Sequence, residues 1–210
     1  MTTANHDAHA DAHDHARAND YDGFAEAYAN LSETSFLNAY YERPAMLSLA
    51  GDVSGRRILD AGCGPGPLSA ALRERGALVS GFDRSAGMVE LARRRLGEGA
   101  DIRIADLSDP LPFDAGTFDD VVASLVLHYL EDWGPTLTEI RRVLRPGGRL
   151  LASVQHPFVD YVIQDPRPDY HATTSYTADW TLFPDDFASL STQMCFLFFV
   201  LEAPGEVPGA

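Results

Sequence analysis

The sequence predicts an α/β fold, a three-layer sandwich in which a mostly parallel sheet carries helices on both faces. Short apolar runs of strand length alternate with stretches whose apolar residues recur at helical spacing, and the links between them are short. The first such run, "RRILDAG", passes straight into a glycine series at Gly62, Gly64 and Gly66. In parallel sheets of this kind ligands bind beyond the carboxyl ends of the strands, so chemistry is expected near that loop.

Residues 1–19, "MTTANHDAHADAHDHARAN", are a biased tail of His, Asp and Ala, expected to be a solvated, disordered arm. His6, His9, His13 and His15 have no cysteine or fixed scaffold beside them, so no metal site is expected. Phe24, Ala27, Tyr28 and Leu31 fall at i, i+3, i+4 and i+7, one face of a helix. A second helical stretch covers roughly 35–49, with a bend near Pro44. After the "RRILDAG" strand, Leu68, Ala71, Leu72 and Arg75 make a helical face that Gly76 ends. "ALVSGFD" is a second strand, and Met88, Leu91, Ala92 and Leu96 mark the next helix. "ADIRIADL" and "TFDDVVASLVL" are strands three and four. Trp133, Leu137, Ile140 and Leu144 define a helix stopped by "RPGG", and "RLLASVQ" is the fifth strand.

The chain has 210 residues, enough for one such domain and short for two. Its formal net charge is −15, from 31 acids against 16 bases, which disfavours a phosphate backbone, so no nucleic-acid partner is expected. Every base is an arginine. Without lysine the chain forms no Schiff base with a pyridoxal group and supplies no Walker P-loop lysine. Abundant Ala, Arg, Asp and Gly suggest a high-GC bacterial gene. Cys63 and Cys195 make no disulfide framework. The first twenty residues lack a signal peptide's apolar core, and the longest apolar run, 194–201, is far too short to span a bilayer. The expectation is a cytoplasmic protein without a membrane partner, a monomer or homodimer.

A dinucleotide loop reads G-x-G-x-x-G and sets a helix N-terminus against a pyrophosphate. Here the spacing is G-x-G-x-G, and Pro67 removes one backbone N–H from the anion-binding end. Asp60, two residues before Gly62, would repel a pyrophosphate and suits a positively charged ligand. S-adenosylmethionine carries an ammonium and a sulfonium, and its ribose hydroxyls match a carboxylate at the end of the second strand, Asp83.

"LDAGCGPG", "GFDRSAGMVELAR", "ADLSDPLPFDAGTFDDVVASLVLHYLED" and "LRPGGRLLASVQHP" resemble, in order and spacing, the motifs of class I S-adenosylmethionine-dependent methyltransferases. The closest likeness is to the bacterial, methyltransferase type 11-like group that modifies small molecules, and it covers roughly 21–157. The resemblance implies a Rossmann-like fold, S-adenosyl-L-methionine as cofactor and a small-molecule methyl acceptor. It implies one methyltransferase domain over 20–210, divided into an N-terminal helical lid (20–55), a cofactor-binding core (56–157) and an acceptor cap with a divergent C-terminal region (158–210). Asp60, Gly62 and Gly64 would line the methionine part, and Gly66 would allow close backbone approach. Asp83 would bind the ribose, Arg84 and Met88 would flank the adenosine, and Asp106 and Leu107 would meet the adenine edge. Ser124 and Leu125 would close the pocket beside the methionine, with Tyr21 and Tyr28 as lid residues. Asp120, replacing an apolar residue of the family pattern, is expected to be a solvent-facing strand start, and Cys63 to contribute backbone only.

Methyl transfer from a sulfonium is an in-line displacement that needs alignment first and a base only when the acceptor must lose a proton. His128 and His156, just after strands four and five, are the candidate bases, with Tyr129 and Glu131 behind them. Tyr161, Tyr170, Tyr176, Trp180, Phe183 and Phe187 would suit a flat or apolar acceptor. The family's sheet ends in an antiparallel hairpin. Here "CFLFFVLEAP" supplies one strand and no second is found, so the hairpin is expected to be incomplete. That departure motivates the alternative, a non-catalytic protein that binds S-adenosylmethionine. A nicotinamide oxidoreductase is disfavoured by the glycine spacing and Asp60.

Overall fold

The computed structural model describes residues 25–156 and 196–204, with only the backbone described for Ala27, Tyr28 and Leu31. The elements run α1 (Ala25–Thr34), a wide π-helical stretch (Phe36–Glu42), α2 (Arg43–Ala50), β1 (Arg57–Ala61), α3 (Pro67–Glu74), β2 (Leu78–Asp83), α4 (Ala86–Leu96), β3 (Asp101–Ile104), β4 (Phe118–Ser124), a short 3-10 turn (Leu127–Tyr129), α5 (Trp133–Val143), β5 (Leu144–Gln155) and β6 (Phe196–Glu202). The π-helical stretch precedes Pro44, which lacks an N–H and crowds the carbonyl one α-turn back. The wider turn relieves that crowding, and the Arg43 N–H reaches back to the Asn38 carbonyl.

The sheet order is β3-β2-β1-β4-β5-β6, with β6 antiparallel to β5 and all other neighbours parallel. The chain winds outward from β1 through β2 to β3, then crosses back to β4. The strand ends of β1 and β4 therefore flank the switch point, where this class of sheet opens a crevice.

Side-chain alternation along the central strands sorts residues between two cores. Leu59 and Ala61 on β1, Val121 and Ala123 on β4, and Leu150, Ala152 and Val154 on β5 pack with Ile140 and Val143 of α5. Ile58, Val122 and Leu151 point the other way, onto Met46, Leu47 and Ala50 of α2 and Leu68 and Leu72 of α3. On that second face the register sets Ile58 beside Asp120, Asp60 beside Val122, Val122 beside Leu151, and Ser124 beside Ser153. Asp60, Ser124 and Ser153 thus share one face at the carboxyl end of the sheet.

Asp120 is not the solvent-facing residue expected from sequence. It is 0% exposed, and the same alternation turns it onto the α2 face. Arg149, directly opposite on β5, gives it bonds of 2.8 and 3.1 Å; Arg56, two residues before its β1 partner, gives 2.6 and 2.8 Å. Desolvation alone would raise the Asp120 carboxyl, but the hydrogen bonds and charges of Arg149 and Arg56 outweigh it and hold it below the ordinary value.

A further difference concerns the fifth strand. "RPGG" does not interrupt the chain between helix and strand; α5 ends at Val143 and β5 begins at Leu144, beside Phe118. Gly147 and Gly148 are tied to Ala203 by backbone hydrogen bonds, which keeps this segment in the sheet. The expected C-terminal strand is β6, and beyond it no further strand occurs among the described residues. The helix expected in "FPDDFASLSTQM" lies outside them.

Replacing Asp120 with asparagine strands two guanidiniums that are only about a quarter exposed. We expect a loss of about 3 kcal/mol in urea unfolding. Asp119→Asn, whose partners are the Arg57 N–H and the half-exposed Arg145, should cost about 1 kcal/mol.

Candidate functional site

At the end of β1 the backbone turns sharply and is sewn to the end of β2. The Gly62 and Cys63 N–H groups both donate to the Phe82 carbonyl at 2.9 Å, and the Gly64 N–H donates to Asp83 Oδ2 at 2.9 Å. Gly62 (φ +73°) and Gly64 (φ +52°) take left-handed conformations that side chains disfavour. A Cβ on Gly62 would lie 2.5 Å from Val126 Cγ2, so the loop after β4 occupies the space a side chain would need.

Asp83 joins the turn to the next helix. Its Oδ1 accepts the Ser85 N–H at 2.9 Å, and Ser85 Oγ caps α4 by accepting the Met88 N–H at 3.1 Å. Burial raises the Asp83 carboxyl, and these backbone donors together with Arg84 oppose the rise. The Asp83 carboxylate keeps acceptor capacity beyond these backbone bonds.

Asp60, 1% exposed, accepts a 2.6 Å hydrogen bond from Ser69 Oγ of α3. Burial pushes it up to about 7; the Ser69 bond opposes this, while the nearby charges of Glu42 and Asp83 add to it. Glu42, 3% exposed, comes from the π-helical stretch and reaches across to the sheet. Its Oε1 accepts Ser124 Oγ at 2.8 Å and Ser153 Oγ at 2.5 Å. Burial raises its carboxyl, against the pull of both hydroxyls and Arg43.

One pocket gathers Asp60, Gly62, Gly64, Asp83, Arg84, Met88, Asp106, Leu107, Ser124 and Leu125. Met88 is 2% exposed and serves at once as core and pocket wall. Arg84 and Asp106 stand 3.9 Å apart at the rim. Leu125 has a left-handed φ of +52°, its N–H held by Ser153.

Gly66 does not line this pocket. A Cβ there would meet Ala92 of α4 at 3.3 Å, so its bareness serves helix packing. His128 also stays outside the lining; both its ring nitrogens are buried without a hydrogen-bond partner among the described residues, and burial lowers it to about 4. His156 follows β5 and is not among the lining residues. The Tyr28 side chain, Tyr21 and the aromatic residues of 161–187 lie outside the described residues. Sequence reasoning missed Ser32, Asn38, Glu42 and Arg43, which line the same pocket. The signal for Glu42 was an acid directly ahead of "RP" in an otherwise apolar and aromatic helical stretch.

Residues 59–152 match a family model described as a methyltransferase domain. The chain is 42% identical over 111 residues to a demethylmenaquinone methyltransferase of Clavibacter sepedonicus, covering 52% of this chain and 45% of that protein. It is 35% identical over 108 residues to a malonyl-[acyl-carrier protein] O-methyltransferase of Serratia marcescens, covering 51% of this chain and 42% of that one. Among solved structures, an S-adenosylmethionine-dependent methyltransferase from Mesorhizobium loti matches with a TM-score of 0.53 and 33% identity, over 60% of this chain and 56% of its own. The chain spans about half the length of the curated relatives it matches. The architecture is the Rossmann-like methyltransferase fold, and the cofactor these likenesses imply is S-adenosyl-L-methionine.

The residues present fit that cofactor. Carboxylates with spare lone pairs suit hydroxyls and an ammonium, Gly62 and Gly64 leave a bare backbone, and Met88 and Leu107 offer apolar wall to an aromatic base. Among the described residues no group of three His, Cys, Asp or Glu is arranged to hold a metal ion.

Gly62→Ala should cost about 3 kcal/mol, combining left-handed strain with the Val126 clash, whereas Gly64→Ala, which meets no atom within 4 Å, should cost about 1 kcal/mol. Denaturant melts of both variants check the difference.

Proposed function

We propose that this chain is an S-adenosylmethionine-dependent methyltransferase that passes a methyl group to a small-molecule acceptor by in-line displacement. The observation that carries the reading is the glycine turn pinned to Asp83, with Asp60 buried beneath it at the switch point of the sheet. When bound, the cofactor supplies a methyl group already activated by the positive charge on its sulfur.

In this reading Asp83 accepts from the ribose hydroxyls while its remaining contacts fix the turn. Arg84, Met88, Asp106 and Leu107 bracket the adenine. Asp60 meets the ammonium, with Gly62, Gly64, Ser124 and Leu125 around the methionine part. Residues 20–55 act as a helical lid, Tyr28 among them, 56–157 as the cofactor core and 158–210 as the acceptor cap. Alignment and exclusion of water supply most of the rate enhancement. In this reading His128, which burial keeps neutral and which lies outside the lining, moves no proton. His156, at the end of β5, is the base assigned to acceptors that must be deprotonated.

The likenesses to a demethylmenaquinone methyltransferase and an O-methyltransferase support a low-mass acceptor. So do the acidic charge and the aromatic residues of 161–187. We place the enzyme in the cytoplasm; no helix of the described residues is long and apolar enough to cross a membrane. We assign it no nucleic-acid partner and a monomeric or homodimeric state.

The test is transfer of labelled methyl from S-adenosylmethionine into a metabolite extract. Label in the dialysable fraction is expected, and Asp83→Ala should raise KM for the donor at least about tenfold. Label found only in precipitated protein or nucleic acid would contradict the small-molecule reading. Binding without any transfer would favour the non-catalytic alternative.

Asp60 gives a pH prediction. Burial pushes its carboxyl up to about 7 from an ordinary 3.8. The neutral form therefore contributes stability that is full below about pH 4 and is lost as pH rises through about 7. A cationic ligand favours the ionised form. Binding at about pH 6 should release protons, and affinity should rise toward about pH 8. Titration calorimetry in two buffers of different ionisation enthalpy measures this, and Asp60→Asn should remove most of the release.

A further inference from the structure

The assignment above gives Asp60, Asp83 and Asp106 a partner in the cofactor and leaves Glu42 with none. Glu42 is 3% exposed and lines the same pocket. Its Oε1 is committed twice, to Ser124 at the end of β4 and to Ser153 near the end of β5. Among the described residues both hydrogen bonds of Glu42 fall on Oε1; Oε2 is not one of the buried atoms left without a partner, so it is the oxygen open to the pocket that Glu42 lines. Arg43, the neighbouring cation, donates to the Ser32 carbonyl and makes no ion pair with Glu42. A buried carboxylate left partly unpaired is costly unless a ligand completes it.

The position of Glu42 across the sheet narrows what that ligand is. In the order β3-β2-β1-β4-β5 the strand ends present Asp106, Asp83, Asp60 with the glycine turn, then Ser124 and Ser153. The nucleoside assignment occupies the first positions, and the methionine part, sulfonium included, the turn and Ser124, whose hydroxyl donates to Glu42. Glu42 lies past the turn, over β4 and β5. The charged groups that bear on this end of the pocket are Asp60 and Asp83 from β1 and β2, Arg84 after β2, and Arg43 beside Glu42 itself. The balance is acidic, and Asp60 feels the Glu42 charge directly.

We propose that Glu42 reads the charge of the methyl donor: its free oxygen favours the cationic sulfonium of S-adenosylmethionine over the neutral thioether of S-adenosylhomocysteine. The inference rests on the methyltransferase reading and deepens it. Donor and product differ at this group by one methyl and one positive charge. A carboxylate held by two serine hydroxyls in a desolvated corner separates them by Coulomb attraction, which water would screen. Loss of the charge on transfer removes that attraction, so the same residue that retains the donor lets the product leave. The contact also ties the segment before α2 to the sheet, so the charge reader and the anchor of the N-terminal helices are one side chain.

The experiment is calorimetric titration of the full chain with S-adenosylmethionine and separately with S-adenosylhomocysteine, for the wild type, Glu42→Gln and Ser153→Ala, with melting temperatures alongside. Glu42→Gln should weaken donor binding about tenfold and leave product binding within about twofold. Ser153→Ala keeps the carboxylate but removes a donor that holds it ionised, and should shift the ratio the same way by about threefold. If Glu42→Gln does not fold, the Ser153→Ala ratio decides. Equal losses for both ligands would make Glu42 an anchor only and overturn the proposal, as would an unchanged ratio in both variants. A folded wild type that binds neither ligand overturns the methyltransferase reading with it, whereas normal wild-type binding with an unchanged ratio overturns the charge reading alone.

Discussion

The hydrogen bond from the Gly64 N–H to Asp83 is the contact on which the open end of this sheet depends. It fixes the turn after β1 against the end of β2, and the same carboxylate positions Ser85, which starts α4. Gly62 adds a steric condition, since its missing side chain leaves the space that Val126 fills after β4. Three strand ends are thus locked together by one acid and one bare backbone. A side chain at position 62 or a lost acid at 83 would disturb the turn and the pocket in one step.

One face of the sheet carries two buried polar groups with opposite electrostatics. At the amino end, Asp120 lies between Arg56 and Arg149 and is held ionised. At the carboxyl end, Asp60 and Glu42 have serine hydroxyls as their hydrogen-bond donors and are pushed up by burial. The first arrangement is complete in itself and joins β1, β4 and β5. The second is short of positive charge, which is what a site for a cationic ligand requires. Alternation along β1, β4 and β5 produces both, because Asp60, Asp120, Ser124 and Ser153 share the parity of Ile58, Val122 and Leu151.

Much of this was legible in the sequence. The strand–helix alternation, the central place of "RRILDAG" and the gathering of Asp60, Asp83, Asp106 and Ser124 at one edge follow from periodicity and from the rule that ligands sit beyond strand ends. What was not legible depended on tertiary pairing. Asp120 read as solvent-facing because its arginines lie 64 and 29 residues away in the chain. The packing of Gly66 against Ala92 was hidden because Ala92 belongs to another helix. Glu42 carried no motif, and its role emerges only when an irregular helical turn before Pro44 lays it over β4 and β5. The wide turn has no simple hydrophobic period, so pattern reading passed over it.

The pinned glycine turn and Asp83 are proposed to form a site for S-adenosylmethionine. The most direct measurement is the Kd of the folded chain for that ligand by titration calorimetry, compared with Asp83→Ala under conditions where both remain folded. Saturable one-to-one binding by the wild type is expected, with a loss of at least about tenfold in the variant. A folded wild type without binding, or equal affinity in the two proteins, would contradict it.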